Sequence, residues 1–273
     1  MTRSRLTATA ALALAFLLLL AGCATGPRPG TPLTATEFDD LTEEIVRPLD
    51  GAETIRATGT GQVSISGRTV RFGFALLQSG PSWMRIDFRP DIMGFGAGLN
   101  ALVLIEGACA RAYFPARVTE IRGCFDDILG LPPLDGAASL ATGFPDRSLV
   151  RALESATLST RGETMTVRGS LEGTPVEMTI ETTSGTVTKL VAGRADLSED
   201  VTIEYGGRGW KDGLPWPRTV DVVAREGTSD ETRVRLEFTT FRTDTAIDRA
   251  LHELPVLPGA RQLSWSDLFD RED

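Results

Sequence analysis

The sequence has little of what catalysis requires. Its 273 residues include one histidine, His252, and three cysteines. Gly-x-Ser-x-Gly, His-Glu-x-x-His and Cys-x-x-Cys, which serve serine hydrolases, zinc proteases and dithiol enzymes, are all absent. In regular structure the adjacent pairs Glu43-Glu44 and Asp126-Asp127 would diverge instead of converging on one substrate. We therefore predict that the protein is not an enzyme and that it needs no cofactor or metal ion.

Net positive charge is also lacking, since the formal charge at pH 7 is −9. Residues 1–22 contain Arg3 and Arg5 and no acidic residue, so their removal would change this charge to −11. Such a surface repels nucleic acid and gains nothing from anionic lipid headgroups. We expect no nucleic-acid partner, and we expect any membrane contact to come from an acyl anchor or from apolar side chains.

The N-terminal segment MTRSRLTATAALALAFLLLLAGC has the pattern of a secretory signal peptide. Basic residues precede an apolar run at 8–20 that is too short for a durable transmembrane helix. The run ends in LAGC, which resembles the lipobox of bacterial lipoproteins. This resemblance implies cleavage after residue 22 and acylation of Cys23 with chains such as palmitate, which anchor a protein stably. No aspartate follows Cys23, and in many proteobacteria this implies sorting to the outer membrane.

The residues after the expected cleavage site predict a tether followed by a single domain. Residues 23–33 comprise the lipidated cysteine and the Pro/Gly-rich segment ATGPRPGTPL, which could hold a domain up to ~35 Å from a bilayer. Residues 34–273 are of a length that fits one β-rich domain.

Two cysteines, Cys109 and Cys124, remain after Cys23. In an oxidising envelope compartment a disulfide is expected in preference to two thiols. It would close a loop of about 15 residues and stabilise the fold by ~3 kcal/mol in the chain-entropy model. A metal site would need further ligands, and His252 is distant in sequence.

Residues 34–50, TATEFDDLTEEIVRPLD, predict an amphipathic helix with its acidic residues on the solvated face. Thr36 and Asp39 resemble a capping box, and Gly51 follows the helix. Two shorter helices are predicted at Cys124–Leu129 and Arg147–Leu153. The apolar stripe of the first helix comprises Phe38, Leu41, Ile45 and Val46.

Beyond this helix, apolar residues alternate with polar ones, as in an antiparallel sheet with one face in water. Hairpin-type breaks separate the runs, at residues 66–67, 79–81, 161–162, 172–173, 184–185 and 212–213. The predicted fold class is mainly β (α+β), a single strongly twisted meander with a few packed helices. The alternating sets are Val70, Phe72, Phe74 and Leu76; Met84, Ile86 and Phe88; Met165 and Val167; Val176, Met178 and Ile180; Val201, Ile203 and Tyr205; Val220 and Val222; and Val234, Leu236 and Phe238.

The glycine-rich connection Asp91–Asn100 is apolar, although exposed loops are usually polar. Its glycines alternate and precede a strand-like run, so it does not match the G-x-G-x-x-G loop that binds dinucleotides. Two interpretations remain open: the connection folds back under the sheet, or it protrudes and contacts lipid or an apolar partner.

Most of residues 34–263 resembles the LolB-like and LolA-like lipoprotein carriers of bacteria. The resemblance is in pattern, through SWMRIDFRPDIMGFGAGLNALVLIEGACARAYFP, GLPWPRTVDVV and AIDRALHELPVLPGARQL. It implies an incomplete antiparallel barrel, plugged by helices, whose apolar lining holds acyl chains in transit between membranes. It also implies that an apolar loop after an early strand delivers the cargo to the bilayer. The candidate lining is Phe72, Phe74, Met84, Ile86 and Phe88, and the candidate membrane-insertion loop carries Ile92, Met93, Phe95 and Leu99.

The sequence departs from the outer-membrane receptor of this family in two ways. The connection at Asp91–Asn100 is longer than the receptor's loop, so several residues could form its tip. The pair Cys109 and Cys124 is not part of the family pattern.

The sequence therefore predicts an outer-membrane lipoprotein that faces the periplasm, binds acyl chains of lipids or lipoproteins in an apolar half-barrel, and helps to insert them into the membrane. Its expected partners are the membrane, acylated cargo and a periplasmic carrier protein, and we expect a monomer. The alternative is a non-catalytic assembly lipoprotein that grips a protein partner through the same half-barrel. The two differ in whether the apolar face is open or already filled.

Overall fold

A computed structural model of the chain describes residues 30–46, 53–65, 68–90, 100–124, 142–143, 150–171, 173–194, 199–211, 214–224, 226–228, 231–255 and 258–264. These residues form an extensive curved β-sheet with one α-helix packed on it. The predicted fold class, a curved antiparallel sheet that does not close into a barrel, is confirmed.

The helix α1 spans Ala35–Val46 and is amphipathic, as predicted. Its start differs from the prediction, because the capping box is formed by Thr34 and Glu37. The backbone N–H and the hydroxyl of Thr34 donate to Glu37 Oε2 at 2.9 and 2.7 Å, and the N–H of Glu37 donates to Thr34 Oγ1 at 3.3 Å. The proposed pair Thr36 and Asp39 was therefore wrong. The bonds from Thr34 also lower the pKa of the Glu37 carboxyl.

The N-terminal half of the described chain forms seven strands. These strands are β1 (Thr31–Pro32), β2 (Thr54–Ile65), β3 (Arg68–Ser79), β4 (Trp83–Pro90), β5 (Ala101–Glu106), β6 (Cys109–Phe114) and β7 (Thr119–Cys124). Short turns at residues 80–82 and 107–108 connect β3 to β4 and β5 to β6. Cys124 ends a strand, so the helix predicted from Cys124 does not begin there.

The C-terminal half forms eight more strands. They are β8 (Glu154–Arg161), β9 (Thr164–Leu171), β10 (Thr174–Glu181), β11 (Thr186–Arg194), β12 (Glu199–Lys211), β13 (Leu214–Ala224), β14 (Thr232–Thr243) and β15 (Arg261–Ser264). The hairpin breaks predicted at 161–162 and 184–185 lie in turns between these strands. Of the helix predicted at Arg147–Leu153, the structure describes Val150 and Arg151 as helical.

The strands pair in the order β1-β8-β9-β10-β11-β12-β13-β14-β2-β3-β4-β5-β6-β7-β15. Neighbouring strands are antiparallel except β7 and β15, which are parallel. The predicted single meander is therefore correct only in two parts, β2 to β7 and β8 to β14. The last long strand, β14, pairs with the first, β2, and this places β7 and β8, which are consecutive in the chain, near opposite edges of the sheet.

The predicted tether also ends earlier than expected. Thr31 and Pro32 pair with β8, and Leu33 donates its backbone N–H to the carbonyl oxygen of Ala156 at 3.2 Å. Because Leu33 also packs against the core, residues 31–33 belong to the folded domain and not to the tether.

The concave face of the sheet carries the core. Leu41 of α1 packs here with the buried side chains of the strands. Val150 and Leu153, which precede β8, are also buried in this core. Thr142 is fully buried and bonds to Gln78 of β3, while Gly143 lies against Tyr205 and Pro217.

The segment that follows β14 crosses the convex face of β4 to β7. The guanidinium of Arg85 donates to the carbonyl oxygens of Leu251 and Glu253 at 3.1 and 3.5 Å, and to Asp87 Oδ1 at 2.8 Å. The ring of Trp83 stacks on His252, with ring centroids 4.3 Å apart. We call residues 244–264 the C-terminal strap; it ends as β15 at the sheet edge.

Candidate functional site on the concave face

A continuous line of apolar side chains crosses the concave face from β8 to β3. Each member is the register partner of the next, so that nine consecutive strands contribute one residue each. At the usual strand spacing this line is roughly 38 Å long along the sheet. We call it the aliphatic row; its members are Leu158, Val167, Met178, Leu190, Ile203, Val222, Val234, Val63 and Val70.

Burial along the aliphatic row decreases towards β3. Val167 and Met178 are 0 % and 1 % exposed, whereas Val70 at the end of the row is 44 % exposed. Between these extremes, Val222, Val234 and Val63 are half-buried and pack against the core. The row is therefore covered over β9 to β11 and accessible over β13 to β3. A surface of this shape can receive an alkyl chain without any polar group.

The five residues predicted to line the lipid site lie on this same concave face, in β3 and β4. Phe72, Phe74 and Met84 are buried in the core, with at most 4 % of each exposed. Ile86 and Phe88 are half-buried and pack against that core. Only these last two have surface to offer to a ligand in this conformation, so the accessible part of the face lies mainly in the aliphatic row.

The aromatic rings of β3 occupy space that two glycines of β2 leave vacant. Phe72 is the register partner of Gly61, and Phe74 is the partner of Gly59. A Cβ added at Gly61 would lie 2.5 Å from Cε2 of Phe72. The rings also meet their neighbours edge-on, Phe72 with Phe88 and Phe74 with Phe238. The core beneath this part of the sheet depends on these glycines.

Few polar groups interrupt the concave face. The amide of Gln78 accepts from Thr142 Oγ1 at 2.9 Å and donates to the carbonyl oxygen of Gly80 at 3.0 Å. Tyr205 is buried beside Gly143, and burial raises the pKa of its phenol well above the ordinary value, so the phenol is neutral at physiological pH. The face therefore presents no charged group from these residues to a bound chain.

Cys109 and Cys124 are register partners on β6 and β7, with their sulfur atoms in bonding contact. A disulfide between them would link the end of β7 to the start of β6. The disulfide in the cell stays a prediction. Cys23 and the loop residues Ile92, Met93, Phe95 and Leu99 lie outside the described residues, so their roles remain predictions as well.

The convex face has a separate groove of about 310 Å³ over β14, β2 and β3. Its lining is mostly polar, with Thr60, Gln62, Arg71, Arg235 and Glu237 beside Gly61 and Phe72. Arg235 is paired with Glu237 at 3.0 Å and with Asp221 at 3.8 Å. No ion pair joins Arg71 to another residue of the described part of the chain.

Neither a metal cluster nor a membrane-spanning helix is found in the part of the chain that the structure describes. No three His, Cys, Asp or Glu side chains there converge as metal ligands. No described helix has the length and apolar character needed to cross a membrane.

Comparison of the fold with solved structures finds many similar chains, including the following three, all from bacteria. A DUF1329 family protein from Desulfovibrio piger matches with a TM-score of 0.60 and 12% identity over 82% of this chain and 98% of its own. A domain assigned to outer-membrane lipoprotein sorting, from Vibrio parahaemolyticus, matches with a TM-score of 0.56 and 10% identity over 80% and 96%. A LolA superfamily protein from Nitrosomonas europaea matches with a TM-score of 0.53 and 9% identity over 81% and 98%.

The chain therefore has a LolA/LolB-like fold, as the sequence resemblance predicted. At the level of sequence, neither a family model nor a curated protein matches it. At identities of 9 to 12% these likenesses establish the fold alone.

Proposed function

We propose that this protein is an acyl-anchored lipoprotein of the outer membrane that binds the alkyl chains of lipids or lipoproteins on its concave face and helps to insert them into the bilayer. The observation that carries this proposal is the aliphatic row, whose exposure increases from β10 to Val70 at the edge of the concave face. The shared fold with a lipoprotein-sorting domain supports it.

The aliphatic row suits an alkyl chain, because transfer of the chain's methylene groups out of water is enough to supply the free energy of binding. Each methylene buried against the row contributes ~0.8 kcal/mol, so a few methylenes are enough for measurable affinity. The half-buried valines, Val63, Val222 and Val234, already lie on the core and would be covered by such a chain. Phe88 and Ile86 would flank it on β4.

In this proposal the other sequence-predicted elements have distinct roles. Acylated Cys23 holds the domain at the outer membrane, facing the periplasm, where a carrier protein would hand over cargo. The connection at Asp91–Asn100 directly follows β4, and its residues Ile92, Met93, Phe95 and Leu99 would contact the bilayer during transfer. Cargo would thus move along the row towards Val70 and leave beside this connection.

Native mass spectrometry tests the binding step directly. The chain from Ala24 onward keeps every described residue and lacks the anchor, so it can be recorded before and after incubation with acylated peptide or phospholipid. We expect one acylated ligand to remain bound. A clean mass of the protein alone under both conditions would contradict the proposal.

Two substitutions locate the ligand on the sheet. Val222→Asp and Val234→Asp place a carboxylate in the accessible part of the row and should reduce ligand occupancy about tenfold or more, because a bound alkyl chain would desolvate the charge. Val223→Asp is the matched control, since Val223 lies in the same strand as Val222 and on the opposite face of the sheet. Equal loss in all three variants would place the ligand elsewhere.

The second candidate is an assembly lipoprotein that grips a protein partner. The observation that favours it is the burial of Phe72, Phe74 and Met84, which already fill part of the face predicted to be open. An assembly protein would show no bound lipid and a single stoichiometric protein partner after purification from its own membrane. Retention of alkyl ligand that depends on Val222 and Val234 would exclude this candidate.

A further inference from the structure

The convex surface at the exposed end of the aliphatic row holds two arginines, Arg71 and Arg89, on either side of a glycine. Arg71 lies two residues before Gly73 in β3, on the same face. Arg89 is the register partner of Gly73 in β4. Both arginines are exposed, and neither forms an ion pair with a described residue. Their cations are therefore available to an outside anion.

Because Gly73 has no side chain, the convex face has open space next to both arginines. A Cβ added there would meet only the carbonyl oxygen of Gly59, at 3.8 Å, so the fold itself does not require glycine at this position. On the β2 side, Gly73 faces its register partner Thr60, whose side chain lines the 310 Å³ groove together with Arg71. The space over Gly73 is thus surrounded by guanidinium groups and a hydroxyl. These groups donate the hydrogen bonds that phosphate oxygens accept.

The other arginines near this corner, Arg235 and Arg233, are paired with carboxylates. Arg235, which lines the groove, is held by Glu237 and Asp221. Arg233 is held by Glu231 at 3.4 Å. The carboxylate of Glu237 also lines the groove and would repel an anion placed beside it. An anion is therefore best placed over Gly73, on the Arg71 and Arg89 side, away from Glu237.

We infer that Arg71 and Arg89 bind the phosphate of an anionic phospholipid headgroup over Gly73, and so turn the exposed end of the aliphatic row towards the bilayer surface. Val70 is the sequence neighbour of Arg71 and ends the row, so the headgroup and alkyl sites would lie at one corner of the sheet, on its convex and concave faces respectively. This inference rests on the proposed function for the presence of a membrane nearby, and it adds which surface faces that membrane.

The protein's net charge, −9 for the full sequence and −11 after the expected cleavage, opposes such a contact only weakly. At physiological ionic strength charges more than ~8 Å from a headgroup are largely screened, so the arginines at the contact decide the interaction. Each arginine close to an anionic membrane surface raises the equilibrium constant for membrane binding about fivefold. Total charge predicts that anionic headgroups contribute nothing to binding. The two arginines at this corner predict instead that anionic headgroups strengthen it locally.

The test uses the full chain reconstituted in vesicles of phosphatidylcholine, with or without phosphatidylglycerol, and modification of arginines by phenylglyoxal followed by mass spectrometry. Arg161 and Arg242 are the controls, since both are exposed, form no ion pair with a described residue and lie at the other end of their strands from this corner. We expect Arg71 and Arg89 to react about fivefold more slowly when phosphatidylglycerol is present, and the control arginines to react at one rate throughout.

Three results would overturn the inference. The first is equal reactivity of Arg71 and Arg89 in both kinds of vesicle. The second is protection that also occurs in phosphatidylcholine vesicles with added inorganic phosphate, which would indicate a site for free anion. The third is protection of Arg161 and Arg242 to the same degree, which would indicate general attraction.

Variants separate this inference from the proposed function. Arg71→Gln with Arg89→Gln should abolish the dependence of lipid transfer on phosphatidylglycerol, whereas Arg161→Gln with Arg242→Gln should leave that dependence intact. Both pairs are surface changes, and melting temperatures would verify that the variants fold. Alkyl binding by the native chain in solution tests the proposed function separately, and its absence would count against that function. Alkyl binding without any effect of Arg71→Gln and Arg89→Gln on the dependence on phosphatidylglycerol would count against the headgroup site alone.

Discussion

The ring of Phe74 lies over Gly59 of the neighbouring strand so closely that a methyl group cannot be added between them. A Cβ at Gly59 would lie 2.8 Å from Cζ of Phe74 and 2.0 Å from the carbonyl oxygen of Glu237 in β14. The aromatic side chain thus fills the space that glycine leaves, at the point where the two halves of the chain pair. The sheet's junction between β14 and β2 depends on this relationship.

Gly59→Ala should therefore destabilise the protein by about 2 to 3 kcal/mol, because either the ring or strand β14 must move. Urea unfolding followed by fluorescence measures the change. Gly73→Ala is the matched control in the adjacent strand, where the nearest atom to a new Cβ is 3.8 Å away. The control should be neutral or stabilise by up to ~1 kcal/mol, since alanine restricts the unfolded chain. Equal losses would show that crowding at Gly59 is not the cause.

The bond between Gln78 and Thr142 gives a second prediction. Gln78→Met leaves the buried hydroxyl of Thr142 without this acceptor and should cost about 1 to 3 kcal/mol. Adding Thr142→Val removes both polar groups, so the double variant should be more stable than the sum of the single losses predicts. A double-mutant cycle by chemical denaturation measures this coupling. Strict additivity would mean that Gln78 does not hold the segment at Thr142 in place.

The contact between Arg85 and the C-terminal strap gives a third prediction. Arg85 is 8 % exposed and connects β4 to the strap through the carbonyl oxygens of Leu251 and Glu253. Arg85→Met should cost about 1 to 3 kcal/mol, because it removes hydrogen bonds to a charged group. It should also speed hydrogen exchange at the backbone amide of Leu251, which donates to the carbonyl oxygen of Asp248. Arg235→Met, on the exposed convex face, is the control, and it should leave exchange in the strap unchanged.

The sequence predicted the elements of this fold well, because their signals are local. Alternation identified β3, β4, β9, β10, β12, β13 and β14, whereas β2, β7, β8 and β11 were not predicted. Gly-containing breaks such as Ser79-Gly80-Pro81 and Arg161-Gly162 lie at turns in the structure. The capping box of α1 also has a local signal, since Thr34 and Glu37 fit the S/T-x-x-E pattern. Asp39, the acidic residue of the predicted pair, lies near Arg151 instead, with Oδ1 3.9 Å from Nε.

What the sequence could not predict is how the strands are ordered and aligned. Alternation shows which residues share a face of one strand but not which residue of another strand lies opposite. The aliphatic row depends on those registers, as does the placement of Arg89 beside Gly73. The pairing of β14 with β2 joins residues about 180 positions apart, and no local signal in either strand identifies its partner.

The cysteine pair gives the last prediction. Cys109 and Cys124 are 15 residues apart, so a bond between them should stabilise the fold by ~3 kcal/mol in the chain-entropy model. Cys109→Ser should lower the melting temperature under oxidising conditions and have little effect in reductant, where the native chain should melt at the lower temperature as well. Ala108→Ser is the matched control, because it introduces a serine in the turn beside Cys109 and leaves both sulfur atoms in place. Identical melting of the native chain with and without reductant would mean that the bond does not form or does not contribute.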